Sequence, residues 1–230
     1  MKILALDTSS KVACVAILDE NSLVGEYYIN HKKNHSEKLV PMIEGILNDL
    51  DIKVEDIDYY AVSIGPGSFT GLRIGITTVK GMALATNKKV VAVDTLDGLA
   101  ANVGYTNNLV CPIIDARNNQ VYTAIYDNGK KIVQDNAMDI EELAVKLKFL
   151  NSKVVFVGDG VLTHKDYLKD KLKDNCIIAR QVDVFPKASS IAQVALQKVN
   201  NNEVLSCEEL LPNYLRKSQA EREYEKKHTS

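Results

Sequence analysis

The positions best suited to chemistry sit in three turns. Gly65-Pro66-Gly67-Ser68 follows an apolar run, Tyr59 to Ile64, and precedes a helix-like stretch from about Ser68 to Thr86. A strand-to-helix turn of this kind offers backbone N–H groups to an anion such as a phosphate, although Pro66 removes one donor. Asp7-Thr8-Ser9-Ser10 and Asp115-Ala116-Arg117-Asn118-Asn119 could supply the facing loops of a nucleotide cradle, but neither contains glycine. Asp7, Ser9, Ser10, Gly65, Gly67 and Ser68 are therefore candidate nucleotide-site positions in a cradle that reads as degenerate. Arg117 is placed to offset Asp115.

Metal and nucleophile chemistry is poorly supported. His31 and His35 have the i, i+4 spacing of a helical metal pair, but they fall between a strand and a helix. His164 and His228 have no partner nearby in sequence. A peptidase needs a nucleophile with a base and an orienting group, and none is identifiable. The expectation is no catalytic residue, no metal and no cofactor in this chain. Gly67, Gly71 and Gly75 recur every four residues and share one helical face. Each mid-helix glycine costs about 1 kcal/mol relative to alanine, so some backbone should approach closely. That backbone belongs either to the chain's own sheet or to another subunit.

The elements that must position these turns repeat. Lys2 to Thr8 and Val12 to Asp19 read as a hairpin, Leu23 to Ile29 as a third strand, and Leu39, Ile43, Ile46, Leu47 and Leu50 as one face of a helix. Pro41 implies that this helix begins there or kinks there. Val90 to Val93 reads as a strand and Thr95 to Val103 as a short helix. The pattern then restarts: Leu109 to Ala116 and Gln120 to Asp127 form a second hairpin, and sliding the first forward by 108 positions carries Asp7 onto Asp115 and Asp19 onto Asp127. Val154 to Val157 runs into Gly158-Asp159-Gly160, echoing Gly65-Pro66-Gly67. Helix-like stretches lie at Ile140 to Leu150 and Ser189 to Val199. Two such units, facing each other across a cleft, differ from the plain alternation of a Rossmann fold. The division expected is 1–104, 105–216 and a charged tail, 217–230, which either frays or orders on a partner.

Composition narrows the function. The chain has 230 residues, 46% of them hydrophobic, enough for one sizeable core or two small ones. A net charge of −2 lacks the basic surplus of a protein that grips nucleic acid unaided. His31-Lys32-Lys33 and the mixed charges from Lys165 to Asp174 read as solvated faces. The opening apolar run stops at Asp7, too short for a signal peptide, and no run approaches the ~18 residues of a membrane span. Four dispersed cysteines fit free thiols in a reducing cytoplasm.

The stretches Ile3-Leu4-Ala5-Leu6-Asp7-Thr8-Ser9 and His35-Ser36-Glu37-Lys38-Leu39-Val40-Pro41 resemble the TsaB (YeaZ) family. So does the run from Ser63 to Gly75, its most specific part, and Pro212-Asn213-Tyr214-Leu215-Arg216 looks like that family's C-terminal motif. The resemblance implies an actin-like ATPase and sugar-kinase fold, with two ribonuclease-H-like subdomains of mixed sheets flanked by helices. It implies a non-catalytic partner of TsaD, which transfers threonylcarbamoyl to the adenosine beside the tRNA anticodon, with the small ATPase TsaE completing the set. It also implies a homodimer when TsaD is absent, tRNA reached only through the complex, and no membrane. In kinases of that fold an aspartate near the first turn helps hold magnesium. Without a glycine-lined partner loop, Asp7 is better read as accepting the N–H bonds of its own turn. TsaD carries a His-x-x-x-His on a helix that matches Thr95 to Ala101 here, where no histidine stands. The helices around Leu39, Met42, Ile43 and Ile46 and around Gly71, Leu72, Gly75, Ile76 and Val79 are expected to form the partner surface. The alternatives are a small-molecule kinase or ATPase of the same fold and a glycoprotease-like peptidase.

Overall fold

The computed structural model describes residues 1–30 and 35–216. The first half runs β1 (Lys2–Asp7), β2 (Val12–Asp19), β3 (Leu23–Asn30), α1 (His35–Asp49), β4 (Tyr59–Gly65), α2 (Phe69–Thr86), β5 (Lys89–Asp94) and α3 (Thr95–Ala101). The second runs β6 (Leu109–Asp115), β7 (Gln120–Asp127), β8 (Lys130–Asp139), α4 (Ile140–Leu150), β9 (Val154–Val157), α5 (Gly160–Leu172), β10 (Cys176–Ile178) and α6 (Ala188–Asn200).

The first sheet has the order β3-β2-β1-β4-β5 and the second β8-β7-β6-β9-β10, so each strand of one has its counterpart in the other. In both, an antiparallel hairpin meets strands parallel to its first member. The duplication extends beyond the elements visible in sequence. β8, α5 and β10 complete the second copy although its apolar pattern did not announce them. α5 buries Val161, His164, Leu168 and Leu172 and turns the mixed charges of its other faces outward. Pro41 lies inside α1, with His35 to Val40 helical before it. The helix therefore does not begin at the proline, which has no N–H to give to the ladder.

Burial follows from the periods. Leu4, Leu6, Val15 and Ile17 on one face of the first sheet meet Leu39, Met42 and Ile46 of α1 and Leu72, Ile76 and Val79 of α2. α4 and α5 cover one face of the second sheet in the same way. The remaining faces are covered by exchange. Ile191, Ala192 and Ala195 of α6 pack on Ile3, Ala5, Ala61 and Val91 of the first sheet. Leu96 and Leu99 of α3 pack on Val110, Ala124 and Val157 of the second. α3 and α6 also touch each other: a Cβ at Gly98 would lie 2.2 Å from the Ile191 side chain. Where the halves meet, Lys131 lies 2.8 Å from Asp97 and 2.7 Å from Asp135.

All four cysteines are free, with Cys14 and Cys111 buried. Among the described residues no helix is long and apolar enough to cross a membrane.

Candidate functional site

The carboxyl ends of β1 and β4 face those of β6 and β9 across a cleft of about 570 Å³. Ser9, Ser10, Gly67 and Ser68 line it from the first half, and Asp115, Arg117 and Asp159 from the second. The three sequence-selected turns therefore do come together. Asp7 lies beneath the cleft, fully buried, and Gly65 lies under the backbone of Asn213.

Inside the first turn the polar groups serve one another. Ser9 donates its N–H to Asp7 Oδ1 at 2.9 Å and its hydroxyl to the same carboxylate at 3.0 Å. Ser68 N–H donates to Ser9 O at 2.6 Å, and the Ser68 hydroxyl, capping α2, accepts from Gly71 N–H at 3.2 Å. Two N–H groups that a phosphate would need, those of Ser9 and Ser68, are thus engaged by the chain's own oxygens. Thr8 donates its hydroxyl to Gly71 O at 2.7 Å. The backbone that approaches the glycine face belongs to this turn: a Cβ would lie 2.6 Å from Ser9 O at Gly67, 2.0 Å from Thr8 O at Gly71, and 2.5 Å from Thr8 Oγ1 at Gly75. The glycines let α2 sit on its own sheet's hairpin.

The second turn takes a different local form. Arg117, Asn118 and Asn119 all have left-handed backbones, with φ of 64°, 53° and 59°. Asp115 Oδ1 accepts from Arg117 N–H at 2.8 Å, and Asp115 N–H donates to Asp159 Oδ1 at 3.1 Å. Gly158, at φ 102°, matches Gly65, at φ 126°, at the ends of β9 and β4.

Burial pushes the Asp7 carboxyl above its usual range, against the opposing pull of Ser63, of the Ser9 N–H and hydroxyl, and of His35. Burial raises Asp159 likewise. A raised carboxyl favours the fold most while it is protonated, and that contribution is lost as pH rises through its folded pKa. Asp7→Asn, which keeps an acceptor for Ser9 N–H, is therefore expected to raise the melting temperature at pH 7 and to raise it less at pH 4. Equal gains at both pH values would show that Asp7 is not held as a costly buried charge.

His35 Nε2 donates to Ser10 O at 2.8 Å, which ties α1 to the first turn; its suggested partner, His31, lies outside the described residues. Among the described residues no three His, Cys, Asp or Glu side chains are grouped to hold a metal. The nine residues expected at a partner surface are all buried: Leu39, Met42, Ile43, Ile46, Gly71, Leu72, Gly75, Ile76 and Val79. The same two helices show other residues outward, among them Val40 and Leu84, which are 48% and 70% exposed. Apolar periodicity picks out the face of an amphipathic helix that meets its own sheet.

Sequence reasoning passed over a further part of the cleft wall. Asn213, Tyr214, Leu215 and Arg216 cross it. Only the motif-like run from Pro212 to Arg216 marked them, without indicating where they lie.

Two like-ordered mixed sheets facing each other across such a cleft define a protein of the actin-like ATPase fold. A hexokinase of the ROK type from Thermus thermophilus shares the fold, with a TM-score of 0.52 at 11% identity over 87% of this chain and all of that one. YeaZ from Pseudomonas aeruginosa superposes with a TM-score of 0.80 at 28% identity over 93% of this chain and 99% of that one. The family model for tRNA N6-adenosine threonylcarbamoyltransferase, TsaD, matches residues 23–224. The tRNA threonylcarbamoyladenosine biosynthesis protein TsaB of Bacillus subtilis is 36% identical over 96% of both chains. Its namesake in Escherichia coli is 28% identical, also over 96% of both. The chain belongs to the TsaB (YeaZ) family, which is related to the TsaD family.

Proposed function

We propose that this chain is a non-catalytic subunit that binds and activates a TsaD-type transferase as threonylcarbamoyladenosine forms beside the tRNA anticodon. The observation that carries this reading is likeness to TsaB along nearly the whole length of both chains. The match to the TsaD family model supports two related folds working as a pair. The chemistry then belongs to the transferase, a TsaE-type ATPase completes the set, and tRNA is met through the complex in the cytoplasm. Free of its transferase, the chain pairs with a second copy of itself. The halves 1–104 and 105–216 are proposed as its two subdomains, with α6 of the second lying on the first sheet.

The docking surface proposed is the outward side of α1 and α2, with the nine buried residues supporting it from beneath. Val40 and Leu84 there are apolar and free of the core, and a carboxylate at either should repel an apolar partner without disturbing packing. The experiment is a reconstituted modification assay with the transferase, the TsaE-type ATPase, the enzyme that makes the threonylcarbamoyl adenylate, ATP, threonine, bicarbonate and unmodified tRNA. Modification should require this chain, and the chain without the transferase should give none. Val40→Asp combined with Leu84→Asp should lower pairing with the transferase by roughly tenfold or more, the effect of about 1.4 kcal/mol. Full modification without the chain would sink the subunit reading, and undiminished pairing by the folded double variant would sink the surface.

A further inference from the structure

The run from Pro212 to Arg216 has no part in the function proposed above, yet it is anchored closely. After α6 the chain returns along the first sheet, where Leu205 bridges Val90 at the β5 edge and Leu210 buries fully in the first core. Asn213 then closes over the ends of two strands. Its N–H donates to Ile64 O at 2.8 Å, and its side-chain amide donates to Asp94 Oδ1 at 3.3 Å. Gly65 is bare beneath it, because a Cβ there would lie 2.3 Å from Asn213 O.

Tyr214 stacks on Phe69 with ring centroids 4.4 Å apart, and its hydroxyl accepts from Arg73 Nε at 3.1 Å. The Arg73 guanidinium lies 4.0 Å over the other ring of the stack, that of Phe69. Stacked rings and a cation over a ring face are favourable contacts even when partly solvated. Two residues on, Arg216 donates to the side-chain oxygen of Gln120, the first residue of β7. The segment therefore starts on the first half, crosses the cleft and ends on the second.

We propose that Asn213–Arg216 is a latch that fixes the spacing of the two halves across the cleft, so that the cleft is set by the chain itself. Its anchors on α2 and on β7 are side chains at least partly open to solvent, so the latch is releasable without unfolding either core. α3 and α6 keep the halves joined when it lets go.

The test is hydrogen exchange on the full chain. The reporting amides are Ser68, bonded to Ser9 O in the first half, and Ala116 and Gln120, bonded within the second turn. Tyr214→Ala removes the ring anchor on α2 of the first half and Arg216→Ala the anchor on the second. A latch transmits each loss across the cleft. Tyr214→Ala should speed exchange at Ala116 and Gln120, and Arg216→Ala at Ser68, by about fivefold or more, as expected of local opening. If each substitution speeds exchange only in the half where its own anchor lies, or in neither, the segment is no latch. Arg216 is not in either core, so its variant decides the question even if Tyr214→Ala folds poorly.

Discussion

Ile76→Asp is expected to leave the chain unfolded at room temperature. Ile76 is 5% exposed, in the core that α1 and α2 share with the first sheet. Removing a buried isoleucine side chain costs about 2–5 kcal/mol through lost burial and the cavity left behind. The new carboxylate would have no partner there, and a buried unpaired charge adds several kcal/mol or forces protonation. The sum reaches the whole stability of an ordinary domain, about 5–15 kcal/mol. Met42→Asp, at 4% exposure, should fail in the same way. Val40→Asp, one helical step round α1 from Leu39, should change stability by no more than ~0.5 kcal/mol. Circular dichroism melting separates the cases. A cooperative, near-native melt for Ile76→Asp would show that α2 is not packed on the sheet by this face. The result bears on any docking experiment: loss of pairing in Ile76→Asp or Met42→Asp reports a broken core, whereas loss in Val40→Asp reports a broken surface.

Alanine substitutions at two glycines of α2 are expected to act in opposite directions. At Gly71 the added methyl would lie 2.0 Å from Thr8 O, a backbone atom with no rotamer to escape into. The Thr8 hydroxyl also donates to Gly71 O, so moving either the turn or the helix breaks this bond. Overpacking costs typically 1–3 kcal/mol and sometimes more, against a helix-propensity gain of about 1 kcal/mol. With its contact on a backbone atom, Gly71→Ala should therefore fall at the upper end and destabilise by up to about 2 kcal/mol. At Gly81, ten residues along the same helix, a Cβ meets nothing within 4 Å, and Gly81→Ala should stabilise by up to ~1 kcal/mol. Urea unfolding midpoints measure both. A stabilised Gly71→Ala would mean that the hairpin turn does not rest on α2.

What the sequence disclosed follows from which forces leave a periodic mark. The first half was legible because β1, β2, β4 and α2 each bury an apolar face, and Ser68, the N-cap, sits where the turn chemistry put it. β8 went unread because the side chains it turns inward include Lys131 and Asp135, which pair with each other while Lys131 also meets Asp97 of the first half. With polar side chains on both faces and Ile132 turned outward, the run carries no alternating apolar signal of a strand. α5 was read only as mixed charge because its few buried residues are spaced among lysines and aspartates. The turns that line the cleft were legible because glycine and aspartate at strand ends have local causes. Their closure by Asn213 and Tyr214 depends on contacts more than a hundred residues apart, which no window of sequence contains.

The exchange of α3 and α6 has a consequence for synthesis on the ribosome. The first sheet is complete once β5 has emerged, but one of its faces, with Ile3, Ala5, Ala61 and Val91, is covered by α6, including Ile191, Ala192 and Ala195. The nascent chain must therefore carry an exposed apolar sheet face while about a hundred further residues are made. At roughly 5–20 residues per second that interval lasts between about five and twenty seconds, and during it the unfinished first half is the part of the molecule most open to chaperones and to misassociation.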